Sequence, residues 1–117
     1  MKIAIIGSRT FNDFDLLSET VKEYCKQNNI SIEMIVSGGA KGADTLAEQF
    51  ALENNLETKI FYLDWEQFGR TACSKRNTQI VEFSDIVFAF WNRKSPGTKD
   101  SIDKAEKLGK EVIINLF

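Results

Sequence analysis

The chain has 117 residues, 43% of them hydrophobic, and its 15 Lys and Arg against 17 Asp and Glu give a formal charge of −2. We predict a single domain over residues 1–117, because a chain of this length cannot bury two separate cores. The absence of histidine, with no CxxC pair, excludes an ordinary zinc site and a histidine-based nucleophile relay.

Five short apolar runs, rich in β-branched and aromatic residues, predict strands that are buried on both faces. They are Ile3–Ile6, Met34–Val36, Ile60–Leu63, Ile86–Phe90 and Val112–Ile114. The segments between them carry helical patterns. The first helix presents Phe14, Leu17, Val21 and Tyr24, the second presents Ala43, Leu46, Ala47, Phe50 and Ala51, and the others run over about Ser74–Phe83 and Asp100–Leu108, the last ended by Gly109.

This alternation of strand and helix implies right-handed crossovers between parallel strands. The fold class it predicts is α/β: a Rossmann-like, doubly wound, mainly parallel five-stranded sheet with helices on both faces. In such a sheet the loops at the carboxyl ends of the strands share one edge, and ligands bind there.

Three of these loops have the same composition. The segments 7–11, 37–44 and 91–98 each combine glycine with hydroxyl groups and a cation. Glycine lets backbone amides approach a ligand closely, and with hydroxyl donors and a cation this composition is typical of a phosphate cradle at helix N-termini. The alternative is that each glycine only forms a tight turn. The spacing matches neither GxxxxGK[ST] nor GxGxxG, so the P-loop and the usual dinucleotide fingerprint are both absent.

The segment 65–77 places cations near two aromatic residues. Arg76 suits bidentate contact with phosphate, whereas Trp65 and Phe68 either stack on a base or cover the edge of the sheet. Trp91 is open to the same two interpretations, base stacking or core packing.

Four motifs, "GSRTF", "VSGGAKGAD", "FGRTACSKRN" and "FWNRKSPGT", occur in this order along the chain. With them the chain resembles the small YspA-like proteins of the SLOG superfamily over about residues 3–112. That superfamily includes the LOG phosphoribohydrolases, which cleave the N-glycosidic bond of nucleoside 5′-monophosphates, the DNA-processing protein DprA, and sensor domains for nucleotide ligands. The resemblance implies a Rossmann-like fold and a nucleotide-type pocket, and we expect neither a metal nor a separate cofactor.

The loops and the resemblance together give the candidate nucleotide- and phosphate-binding residues. They are Gly7, Ser8, Arg9, Ser37, Gly38, Gly39, Gly42, Asp44, Arg76, Asn77, Trp91, Ser95, Gly97 and Thr98.

The match to the LOG signature PGGxGTxxE is incomplete. Ser101 stands three residues after Thr98, where the signature has a glutamate that helps to cleave the glycosidic bond, and Asn77 follows Arg76 in place of a lysine. A hydroxyl group cannot supply the negative charge that stabilises an oxocarbenium-like transition state. If the protein is an enzyme, its expected catalytic residues are Arg76 with Asp44 or Asp100. Asp44 also fits a capping role in its helix, and Asp100 faces the pocket only if its helix starts differently from the family geometry.

The predicted function is a cytoplasmic SLOG domain that binds or senses a phosphate-containing nucleotide or an NAD-derived metabolite. The alternative is a LOG-like nucleotide N-glycosidase or related hydrolase, and a third possibility is a DprA-like DNA-binding module. From the net charge we expect a small nucleotide-type ligand, no membrane and no nucleic acid as partners. By analogy with the LOG proteins we also expect a homo-oligomer.

Overall fold

Strands and helices alternate along the whole chain in the computed structural model, which describes all 117 residues. The strands are β1 (Lys2–Gly7), β2 (Met34–Ser37), β3 (Glu57–Ile60), β4 (Ile86–Trp91) and β5 (Glu111–Leu116). The helices are α1 (Phe14–Gln27), α2 (Ala43–Glu53), α3 (Trp65–Phe68), α4 (Ala72–Phe83) and α5 (Pro96–Lys107), with a 3-10 turn at Gly69–Thr71 between α3 and α4. None of the helices is long and apolar enough to cross a bilayer.

The five strands form one sheet in the order β3-β2-β1-β4-β5, and every neighbouring pair is parallel. The predicted Rossmann-like, doubly wound fold is therefore confirmed. The chain turns from β1 outward to β2 and β3, then crosses back to β4 and β5 on the other side of β1. The order thus reverses between β1 and β4, which is where this architecture opens a crevice at the carboxyl ends of the strands.

The sheet separates two apolar clusters. Along β1, Ile3 and Ile5 belong to the larger cluster, beside α1 and α2, while Ala4 and Ile6 belong to the smaller one, beside α4 and α5. Successive residues of a strand point to opposite faces of the sheet, so a strand that is buried on both faces needs apolar residues at consecutive positions. This burial explains why the central strands are continuous apolar runs.

The third strand lies three residues upstream of its predicted position. We expected Ile60–Leu63, but β3 spans Glu57–Ile60. It is an edge strand whose first three residues are exposed, so its place is set by hydrogen bonding to β2 and not by burial. The apolar run continues past the strand, where Phe61 packs edge-on against Phe83 with ring centroids 5.6 Å apart.

The last helix begins four residues before its predicted start. We expected it from about Asp100, but α5 starts at Pro96. Proline suits the first turn of a helix, because its ring presets φ and the missing N–H has no intrahelical partner there. Gly97 and Thr98 consequently lie in the first turn of the helix instead of in a loop.

Candidate functional site

A cleft of about 510 Å³ opens at the carboxyl-end edge of the sheet. The end of β1 and the loop after it contribute residues 7–10. The loop after β2 and the start of α2 contribute Ala40 and Asp44, and the segment after β4 contributes Asn92 and residues 95–98. Helix α4 adds Cys73, Arg76 and Asn77. The three loops that share glycine, hydroxyl groups and a cation therefore converge on one cavity.

Ser8 connects all three loops. Its backbone N–H donates to the carbonyl oxygen of Phe90 at 2.9 Å, and its carbonyl oxygen accepts from Ala43 N at 3.4 Å. Its side-chain Oγ accepts from the backbone N–H of Asn92 at 3.2 Å, and the residue is only 1% exposed. A buried hydroxyl group with these bonds fixes the loops relative to one another.

Arg76 reaches from α4 across the loop after β2, which we call the second loop; the loop after β1 is the first loop. Its Nη1 donates to the carbonyl oxygen of Gly38 at 2.7 Å, and its Nε donates to Asn77 Oδ1 at 3.0 Å. A Cβ atom on Gly38 would lie 2.8 Å from Arg76 Cζ and 3.0 Å from Asp44 Oδ2, so this position needs glycine for the arginine and the carboxyl group to approach. The two bonds orient the guanidinium group and leave further N–H groups without a partner in the chain.

Asp44 supplies the single carboxyl group of the cleft and is 5% exposed. Burial raises the pKa of this carboxyl group, and the bond from Ala40 N at 3.1 Å and the charge of Arg76 offset the rise only in part. The bond to Ala40 closes the turn that precedes α2. Asp44 thus holds the loop in shape instead of capping the amides of its own helix.

The N-terminus of α5 brings unpaired amides to the cleft. Pro96 has no N–H, the backbone N–H groups of Gly97 and Thr98 have no partner within the chain, and the Ser95 side chain makes no capping bond. Ser95 Oγ instead lies 3.2 Å from Thr98 Oγ1. Asn92 Oδ1 shapes the preceding turn by accepting from the backbone N–H groups of Lys94 and Ser95, each at 2.9 Å. Free amides and the helix dipole together favour an anion here.

A second cavity of about 440 Å³, which we call the neighbouring cavity, adjoins the cleft. It is lined by residues 38–41, Tyr62 and Leu63, and it shares Arg9, Ala40 and Arg76 with the cleft. Arg9 and Arg76 therefore stand between the two spaces.

The structure brings most of the candidate residues together. Nine of them line the cleft: Gly7, Ser8, Arg9, Asp44, Arg76, Asn77, Ser95, Gly97 and Thr98. Gly38 and Gly39 line the neighbouring cavity.

Four candidates line neither space, and each has a supporting contact instead. Ser37 Oγ donates to the carbonyl oxygen of Ile5 at 2.8 Å, and Trp91 Nε1 donates to that of Ser95 at 3.0 Å. Asp100 accepts from Asn77 Nδ2 at 3.0 Å and pairs with Lys104 Nζ at 2.9 Å. Gly42, at φ 78°, lets the second loop pack against the backbone of Ser8 and Arg9.

Sequence reasoning missed several residues of the two cavities. Thr10 and Asn92 stand beside predicted residues within the same motifs, and their position in those loops was the available signal. Tyr62 was hidden because it fell inside the predicted third strand, whereas it lies in the loop after β3. Trp65, which we considered for base stacking, is 57% exposed and lines neither cavity.

Comparison with known proteins places this site in a family. A model of the YAcAr family, described as the YspA, cpYpsA-related SLOG family, matches residues 1–68. The Gene 61 protein of Mycobacterium phage D29 is 29% identical over 118 residues, which cover 96% of this chain and 94% of the phage protein.

Two solved structures of the DNA-processing protein DprA have a similar fold. DprA from Helicobacter pylori, described for its single-stranded DNA binding mode, matches with a TM-score of 0.71 and 22% identity over 97% of this chain. DprA from Streptococcus pneumoniae matches with a TM-score of 0.76 and 21% identity, again over 97% of this chain. The chain spans 64% and 49% of the length of these two DprA chains.

The expectation that nucleic acid is not a partner is wrong. It rested on the formal charge, yet the Helicobacter pylori protein has this fold and is described as binding single-stranded DNA. A formal charge of −2 sums the whole surface, whereas contact with phosphate depends on where cations are placed, as Arg9 and Arg76 are here.

The family match covers more than half of the 117 residues and includes the loops after β1 and β2. Together with the fold, it supports a nucleotide- or DNA-related SLOG domain. The chain belongs to the YspA, cpYpsA-related SLOG family.

Proposed function

We propose that the cleft binds the phosphate group of a nucleotide, and that through it the protein binds or senses a nucleotide or an NAD-derived metabolite. The main support for this proposal is the pair of unpaired backbone N–H groups in the first turn of α5, at Gly97 and Thr98. Gly97 and Thr98, whose backbone N–H groups are unpaired in the chain, line the same cleft as Arg9 and Arg76. A helix N-terminus and guanidinium groups both favour phosphate oxygens.

The local charge supports an anionic ligand although the whole chain is acidic. Arg9 and Arg76 face a single carboxyl group, that of Asp44, in the cleft. Burial raises the pKa of Asp44, because desolvation penalises the charged form of its carboxyl group. Two cationic residues against one carboxyl group give the lining of the cleft an excess of positive charge.

The size and lining of the cleft support a ligand larger than phosphate. Its volume of about 510 Å³ falls within the range of small-molecule sites, about 300–1,000 Å³. Thr10, Asn92 and Ser95 add donors and acceptors for sugar hydroxyl groups or a base edge. Asp44 is placed in the same wall, where a carboxylate can accept from a ribose hydroxyl group.

A second candidate function, hydrolysis of the N-glycosidic bond of a nucleotide, is favoured by the buried carboxyl group of Asp44. Ser101 lines the cleft where the LOG signature has glutamate, and its hydroxyl group donates to the carbonyl oxygen of Gly97 at 3.3 Å. Asp100 is held by Asn77 and Lys104 outside the cleft. A hydrolase of this chain would therefore rely on Asp44 to stabilise the positive charge that develops on the sugar.

Isothermal titration calorimetry with AMP and adenosine tests phosphate recognition. We expect AMP to bind at least about 10-fold more tightly than adenosine, and Arg76→Ala to weaken AMP about 10- to 150-fold, as for a hydrogen bond to a charged group. Arg70→Ala is the matched control, because Arg70 is exposed and lines neither cavity. Equal affinity for AMP and adenosine, or equal losses in the two variants, would contradict the proposal.

Chromatography of AMP incubated with the protein tests the second candidate. Adenine released by the wild-type protein but not by Asp44→Asn would support hydrolysis. No adenine after prolonged incubation, in a preparation that binds AMP, would exclude this reaction and leave the binding function.

A further inference from the structure

The neighbouring cavity has the charge of an anion site. Arg9, Lys41 and Arg76 line it, and no carboxyl group does. Two of these cations, Arg9 and Arg76, also line the cleft. Arg9 and Arg76 are therefore the two cations that both spaces share.

The backbone of Gly38 and Gly39 forms a strip without side chains in this cavity. A Cβ atom on Gly38 would lie 2.8 Å from Arg76 Cζ, and one on Gly39 would lie 2.7 Å from Tyr62 Cε1. The two adjacent glycines thus let a guanidinium group and a phenol ring rest on the second loop. Any side chain on this strip would push one of them away.

Tyr62 leaves most of its ring uncovered. One edge contacts Gly39, but the residue is 68% exposed in the loop that follows β3. An open aromatic face beside three cations is the combination on which a nucleic acid base stacks while its phosphate is neutralised.

We propose that the ligand extends past Arg76 into the neighbouring cavity and stacks a second base on Tyr62. This inference rests on the proposed function of the cleft. The ligand class is two nucleoside units joined through phosphate. Arg9 and Arg76 hold the linking phosphate, and Lys41 contacts the outer unit. This chemistry has two sources: a pyrophosphate-linked dinucleotide, and a phosphodiester-linked step of single-stranded DNA.

Calorimetry with three ligands at fixed ionic strength tests the inference. The ligands are AMP, NAD, and the 5′-phosphorylated single-stranded dinucleotide of deoxyadenosine, each titrated into wild type, Tyr62→Ala and Tyr62→Phe. We expect Tyr62→Ala to weaken NAD or the DNA dinucleotide about 5- to 150-fold, the loss of one stacked base, and to leave AMP within about 2-fold. Tyr62→Phe keeps the ring and should match wild type for all three ligands.

The outcomes separate this inference from the proposed function. If Tyr62→Ala loses affinity for NAD alone, the ligand is a pyrophosphate-linked dinucleotide. If it loses affinity for the DNA dinucleotide alone, the ligand is single-stranded DNA. If AMP binds but Tyr62→Ala changes neither two-unit ligand, the inference is overturned and the proposed function stands. If none of the three ligands binds, both are overturned.

Discussion

The substitution Gly42→Ala tests whether the loops after β1 and β2 are held in close contact at the cleft. Its backbone has φ 78° and ψ −127°, and a Cβ atom there would lie 2.6 Å from Arg9 Cα and closer still to the carbonyl oxygen of Ser8. Gly69 has nearly the same backbone, with φ 50° and ψ −126°, yet a Cβ atom there would meet nothing within 4 Å. Gly69→Ala therefore carries the backbone strain alone, whereas Gly42→Ala adds a collision between two loops.

The expected difference follows from these two terms. Strain of this kind costs about 1–3 kcal/mol in either variant. Inserting a methyl group into a closely packed site costs about 1–3 kcal/mol more. We therefore expect Gly42→Ala to lower the free energy of unfolding by about 1–3 kcal/mol beyond the loss in Gly69→Ala. It should also weaken AMP binding, because the first loop must move away from the second.

Urea unfolding followed by far-UV circular dichroism measures both variants against the wild type. The slope of the free energy against urea should stay constant, so that shifts in the midpoint report stability alone. If the two variants lose the same stability within about 0.5 kcal/mol, the loops are not packed as described and the reasoning is refuted.

Three further predictions concern side chains in or beside the cleft. Because burial raises the pKa of the Asp44 carboxyl group above 3.8, the folded protein binds this proton more tightly than the unfolded chain does. Relative to Asp44→Asn, the wild type should therefore lose stability as pH rises from about 3.8 through the pKa of the folded state. Parallel pH profiles of the two proteins in urea unfolding would contradict this prediction. Ser8→Ala leaves the half-buried N–H of Asn92 without its acceptor and should cost about 1 kcal/mol in the same assay, the net contribution of one hydrogen bond, whereas a loss below about 0.5 kcal/mol would contradict the linking role. Asp100→Ala should change AMP affinity less than about 3-fold in calorimetry, because Asp100 lies outside the cleft, and a larger loss would place it in the ligand site.

The strands that were predicted best are those buried on both faces. In β1 the residues from Ile3 to Ile6, and in β4 all residues from Ile86 to Trp91, pack in or against one of the two clusters. The apolar runs therefore mark both strands to within one residue at each end. At the edge, β3 takes its position from hydrogen bonds to β2, and Glu57 to Lys59 carry no apolar signal. Edge strands are therefore the part of such a sheet that hydrophobic patterning locates least well.

The loops of the site were predictable because topology, and not side-chain detail, brings them to one edge. Which side chains enter the cavities depends on local geometry that the sequence does not reveal. The early start of α5 at Pro96 puts Gly97 and Thr98 into its first turn, while Asp100 is drawn away by Asn77 and Lys104. Tyr62 became part of the site only because β3 ends at Ile60.

The most direct test of the phosphate site is an amide ¹H–¹⁵N NMR titration of the labelled protein with AMP and, separately, with adenosine. The N–H groups of Gly97 and Thr98 are unpaired in the chain, so binding of phosphate gives each a new acceptor. We predict that AMP shifts these two resonances and that of Arg9, and that adenosine leaves all three in place. Shifts confined to α1 or α3, or equal shifts with adenosine, would contradict the account.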